Sequence, residues 1–91
     1  MTWNYRIIRD TVKANAHSEK KYPRYSVHEV FYNDDGSIMT CTKDPEELCW
    51  TDDTDAEALE NLKECIRMIA RDIEKHPVLD ITDIPGCEEE E

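Results

Sequence analysis

The stretch Tyr25-Ser26-Val27-His28-Glu29-Val30-Phe31-Tyr32, followed at once by Asn33-Asp34-Asp35-Gly36 and then by Ser37 to Thr42, decides the fold. Its first eight residues are aromatic and β-branched, the composition that strands prefer. Gly36 supplies the positive φ of a tight hairpin, so Ser37 to Thr42 reads as the returning strand. Pro23 forbids helix just before this unit. Further back, Trp3 to Arg9 alternates, with Trp3, Tyr5 and Ile7 on one face, and reads as another strand. Residues 10–21 are polar and follow neither period, which predicts a mobile loop. Val27, Glu29 and Phe31 share one side of the central strand, and His28, Val30 and Tyr32 share the other. Each side places a polar residue between two apolar ones, so the buried face stays open. His28-Glu29 does not continue into H-E-x-x-H, because position 32 is tyrosine. Both are expected as hydrogen-bonded sheet residues.

Forward of the hairpin, Asp44-Pro45-Glu46-Glu47-Leu48 predicts a turn or a single helical turn, with Pro45 suited to the first helical position. Thr54-Asp55-Ala56-Glu57 fits a capping box, in which Thr54 and Glu57 satisfy each other's amides. Behind it Leu59, Leu62, Ile66, Ile69 and Ile73 fall at steps of three and four, one apolar stripe on a helix from about Asp55 to Lys75. Cys65 and Met68 flank the stripe, and Lys63, Arg67 and Arg71 read as a solvated face. Pro77 ends the helix, Pro77-Val78-Leu79 can lay an extended segment on the core, and Pro85-Gly86 with Glu88 to Glu91 reads as disordered. One striped helix needs a surface, and a sheet offers it. The expected class is α+β, a three-stranded antiparallel meander with one long C-terminal helix packed on one face (β-β-β-α). Residues 1–80 would form a single domain and residues 81–91 an acidic tail, with the other sheet face open to water or a partner.

Composition excludes several functions. The chain has 91 residues and only two glycines, Gly36 and Gly86, so Rossmann fingerprints and phosphate-cradling loops are ruled out. No apolar run approaches the ~20 residues of a membrane span. The N-terminus lacks the basic-then-apolar order of a secretory signal, which predicts a cytoplasmic protein. Cys41, Cys49, Cys65 and Cys87 are separated by 7, 15 and 21 residues, with no C-x-x-C pair. The expectation is reduced thiols and no metal or other cofactor. Asp52-Asp53-x-Asp55 is the nearest approach to a cation site, yet 22 acidic residues in 91 make adjacent carboxylates ordinary. No nucleophile-base order is legible, so no enzyme is expected.

Charge is strongly divided along the chain. Residues 1–28 hold six basic and two acidic side chains, whereas residues 29–91 hold five basic and twenty acidic, for an overall formal charge of −11. Residues 44–62 carry eight acidic side chains and no basic one. Carboxylates at a helix N-terminus favour its dipole, which explains two or three of the eight. The remainder points to a basic partner and away from direct nucleic-acid binding. Asp44, Glu46, Glu47, Asp52, Asp53, Asp55 and Glu57 are the expected partner-binding residues, with Trp50 as the apolar anchor.

Trp3-Asn4-Tyr5-Arg6-Ile7-Ile8, His28-Glu29-Val30-Phe31-Tyr32, Asp35-Gly36 and the closing Pro77-Val78-Leu79-Asp80 together resemble a group of short, uncharacterised bacterial and phage proteins. Those open with W-N-Y-R, carry H-E-V-Y-Y-(N)D-x-D-G and a W-T-x-x-P segment, and end in P-V-L after one helix. Here Cys41-Thr42-Lys43-Asp44-Pro45 stands in place of the tryptophan-led segment. The resemblance implies a fold and no assigned chemistry. In size and charge the chain is also similar to phage-encoded inhibitors of restriction or CRISPR effectors. The first expectation is therefore a non-enzymatic binder occupying a nucleic-acid site on its partner. The alternatives are an accessory or antitoxin-like module, or a homodimer, using an open sheet face or edge around Trp3, Tyr5 and Phe31, and a housekeeping protein whose acidity serves solubility.

Overall fold

A computed structural model describes residues 2–86. It contains β1 (Thr2–Lys13), β2 (Lys21–Tyr32), β3 (Ile38–Cys41), α1 (Asp55–Lys75), β4 (Leu79–Asp80) and a 3₁₀ turn, Ile81–Asp83. The class is α+β, but the sheet has four strands in the order β3-β2-β1-β4. β1 pairs antiparallel with β2 and β2 with β3, while β4 runs parallel to β1 through Ile8↔Leu79 and Arg9↔Asp80. The expected three-stranded meander is thus completed by a short parallel strand after the helix. The hairpin turn forms as read: Gly36 has φ 88°, Asn33 N–H donates to Ser37 O at 2.8 Å, and Asp35 Oδ1 accepts from Ser37 N–H and Oγ–H.

The mobile loop expected over residues 10–21 is largely absent, because the β1–β2 ladder runs on to Lys13↔Lys21. Only residues 14–20 connect the strands. Two features carry the ladder outward. The Arg24 guanidinium donates two bonds to the Asp10 carboxylate, Nε to Oδ1 at 3.0 Å and Nη2 to Oδ2 at 2.7 Å, between directly paired positions. Pro23 is tolerated because Glu29 and Val27 turn their carbonyls to the outer edge of β2, toward Thr42 and Glu46 N–H. By the two-residue period Pro23 faces that edge too, where no ladder bond is lost.

The face of β2 left open by the sequence is resolved in favour of both. Tyr5, packed with Val27, lies against Cys65, Ile69 and Ile73 of α1. On the opposite face Ile8 and Val30, both fully buried, pack with Ile81 and Ile84. No sheet face is left bare at its centre, contrary to expectation. The core also continues past Asp80: Ile84 is 2% exposed. Asp80 caps the 3₁₀ turn by accepting from Thr82 N–H at 3.1 Å, which points Ile81 and Ile84 inward. The domain therefore reaches beyond the boundary read from sequence. Cys87 and the Glu88–Glu91 run lie outside the described residues.

α1 begins where the cap predicts, with Thr54 Oγ1 accepting from Glu57 N–H at 3.2 Å. The stripe is turned, however. Cys65 and Ile69 form the buried seam, and Ile66 is 44% exposed at its margin. At 3.6 residues per turn this shifts the seam toward Cys65 and Asp72. Asp72 explains the shift: its Oδ2 accepts from Tyr5 N–H at 3.0 Å, docking the helix along the outer edge of β1. At the helix C-terminus Arg6, 7% exposed, donates to Pro77 O at 2.7 Å and to Tyr32 Oη at 3.3 Å. Tyr32 Oη–H in turn donates to Asn4 Oδ1 at 2.8 Å, and Asn4 Nδ2 meets His76 Nε2 at 3.0 Å. A buried cation is at home beside the negative end of a helix dipole. His28 is buried as a sheet residue, with Nδ1 3.0 Å from Thr42 O and Nε2 3.0 Å from Ser26 Oγ. Since a carbonyl only accepts, Nδ1 donates to Thr42 O.

Candidate functional site

The candidate site is built by residues 42–54, which link β3 to α1 without regular structure. They first track the edge of β2: Thr42 N–H donates to Glu29 O at 2.9 Å and Glu46 N–H to Val27 O at 2.8 Å. Pro45, lacking an N–H, interrupts that ladder between them. The segment then lines grooves on both flanks of α1. Pro45, Glu46 and Leu48 border one, with Val27, Ile66 and Ile69, of about 240 Å3. Trp50 borders the other, with Trp3, Tyr5, Asn61, Glu64 and Met68 around a floor at Cys65, of about 250 Å3.

The expected partner-binding residues are distributed unevenly over this unit. Asp44, Glu47, Asp52 and Asp53 are exposed on the linking segment, and Asp55 and Glu57 are exposed in the first turn of α1. Among the described residues no lysine or arginine pairs with any of them. The ion pairs that do form lie elsewhere, at Arg9–Asp80, Arg24–Asp10 and Arg67 with Glu60 and Glu64. Asp52 has a structural task besides: Oδ2 accepts from Asn61 Nδ2 at 2.6 Å and Oδ1 from Asp53 N–H at 2.8 Å, fastening the segment to the helix. Glu46 departs from the group. It is half-buried and near Glu29, whose carboxyl is held above the ordinary glutamate range by burial and then by the Glu46 charge. Burial and the Cys65 thiol, 3.9 Å from Oη, push the Tyr5 phenol up as well.

Trp50 is 48% exposed, with part of its ring turned into the second groove. There it meets residues that the sequence placed in other roles. Trp3 and Tyr5, read as strand residues, stand edge to face with centroids 5.2 Å apart and planes at 87°. Nothing in residue spacing brings positions 3, 50 and 68 together; only the course of residues 42–54 around the helix does. Among the described residues, no group of three or more His, Cys, Asp or Glu side chains is arranged to hold a metal ion. No helix among them is long and apolar enough to cross a membrane. Cys41, Cys49 and Cys65 are thiols, of which Cys65 is buried and Cys49 exposed. No protein family, curated protein or solved structure matches the chain.

Proposed function

We propose that this protein is a non-enzymatic binder whose acidic segment, residues 44–57, seats in a basic protein site of the kind that nucleic acid occupies. One observation carries the reading: Asp44, Glu47, Asp52, Asp53, Asp55 and Glu57 are exposed together and, among the described residues, form no ion pair with a lysine or arginine. Unpaired surface carboxylates repel one another and raise the free energy of the fold, so their concentration on one segment calls for compensation from outside. Arginines and lysines that normally meet phosphates supply it. Leu48 and Trp50, both exposed, provide apolar contact within the charged rim.

The test is charge reversal at positions with no part in the fold. Asp44→Lys, Glu47→Lys and Asp53→Lys combined leave the Thr54 cap, the Asp52–Asn61 bond and half-buried Glu46 in place. Affinity purification from the source cell with the parent chain is expected to retain a nucleic-acid-binding protein that the triple variant loses, at unchanged melting temperature. Retention by both would sink the reading. Association with that partner should also slow steeply between low and physiological salt, where the field's reach falls to ~8 Å.

A further inference from the structure

We propose that the groove between Trp3, Tyr5, Trp50 and Met68 is a seat for a single arginine side chain of the partner. This deepens the acidic-surface reading and rests on it. Three observations converge. First, the lining includes two tryptophans, a tyrosine and a thioether, with the Trp3 and Tyr5 rings edge to face and their centroids 5.2 Å apart. A cation over such faces is attracted by the ring quadrupole, most strongly over tryptophan. Second, the polar groups in the lining are Asn61 and Glu64. A carboxylate accepts on both oxygens, so with Arg67 Nη1 on Oε1 of Glu64, Oε2 can accept a second guanidinium. Asn61 is oriented by Asp52, which adds a further carboxylate behind it. Third, Trp50, which borders the groove, belongs to the segment that carries the exposed acidic charge.

Arginine fits this combination better than lysine. Its planar guanidinium stacks on an aromatic face while its edge donates to a carboxylate, and its weaker hydration lowers the desolvation that entry requires. A volume of about 250 Å3 is sufficient for one arginine side chain.

Trp3 and Trp50 are the only tryptophans in the chain, so tryptophan emission reports on this groove alone. The full chain is titrated with Ac-Gly-Arg-Gly-NH2, with the peptide carrying citrulline (the neutral isostere) in place of arginine, and with Ac-Gly-Leu-Gly-NH2. N-acetyl-tryptophanamide serves as the collisional-quenching control. A saturable change is expected with the arginine peptide and about tenfold weaker binding of the citrulline peptide. Trp50→Ala should abolish saturation. Glu64→Gln, at an exposed position that leaves the core untouched, should weaken the arginine peptide several-fold and leave citrulline unchanged. Equal binding of arginine and citrulline, tighter binding of the leucine peptide, or unsaturable quenching matching the control would each overturn the proposal. The two readings fail separately: a partner lost by the triple lysine variant but held fully by Trp50→Ala removes the arginine seat and keeps the acidic surface.

Discussion

Replacing Ile84 by alanine asks whether the segment after β4 belongs to the fold. Ile84 is 2% exposed and packs against Ile8, Val30 and Ile81 on the sheet face opposite α1. Alanine removes three carbons, ~2.4 kcal/mol of transfer free energy at ~0.8 kcal/mol for each buried methylene. Ile8 and Val30 are held by ladders on β1 and β2 and cannot collapse far into the space, so a cavity contribution is added. The total falls within the ~2–5 kcal/mol typical of such truncations. A small domain has ~5 kcal/mol to lose. At ~4–8 °C per kcal/mol for a chain of this size, the melting temperature should drop by about 10–40 °C. Thermal and urea unfolding followed by far-UV circular dichroism give the answer, with an unchanged urea m-value confirming that the native surface is otherwise retained. A melting temperature within about 3 °C of the parent would refute the reasoning and return residues 81–86 to the status of a tail.

Ile66→Asp, at the partly exposed margin of the helix, should cost about 1–2 kcal/mol, well below the loss the apolar stripe alone implies for a core position; unfolding in urea measures it. Arg6→Lys keeps a charge but cannot span Pro77 O and Tyr32 Oη, and should lower stability by about 1–2 kcal/mol in the same assay. Glu29, raised above its ordinary value of 4.5 by burial and Glu46, binds its proton more tightly folded than unfolded, so stability falls as pH rises between the two values. Glu29→Gln should therefore shift the urea midpoint upward at about pH 7 and leave it unchanged at about pH 3.5; a gain of equal size at both would mean that charge is not the cause.

What could be read in the sequence is what local chemistry determines. Gly36 and the Asp35–Ser37 contacts fix the hairpin within five residues, and Thr54 with Glu57 fixes the start of α1. The outer β1–β2 ribbon escaped because Lys13, Lys21 and Tyr22 lie on a two-stranded projection without a buried side, so no alternation marks it. Its stabilising pair, Asp10 with Arg24, is separated by 14 positions. β4 is two residues long, too short for any period, and Ile81 and Ile84 are drawn inward by an Asp80 cap rather than by a helix or strand pattern. The helix stripe was legible but not its rotation, since apolarity ranks Ile66 above Cys65, whereas the Asp72 bond to Tyr5 N–H turns Cys65 inward. The acidic segment was plain in composition. The aromatic groove beside it was not, because it is assembled from β1, the linking segment and α1.

Closure of the second sheet face bears on where a partner can bind. With Ile81 and Ile84 seated over Ile8 and Val30, and α1 over Tyr5, the centres of both sheet faces are covered. What the surface offers is charge, and its two ends are not equivalent. On the basic side, Arg24 is bound to Asp10, Arg9 lies 3.5 Å from Asp80, and Lys20 sits over the Tyr22 ring at 5.1 Å. Much of that end is compensated within the chain itself. On the acidic side the carboxylates of residues 44–57 have no such internal partners among the described residues. An unbalanced field acts at a distance and is relieved only by a counter-charge from elsewhere. On the ribbon Arg24 is held by Asp10, whereas the exposed carboxylates of the linking segment form no ion pair among the described residues, and the proposed acidic contact rests on that asymmetry.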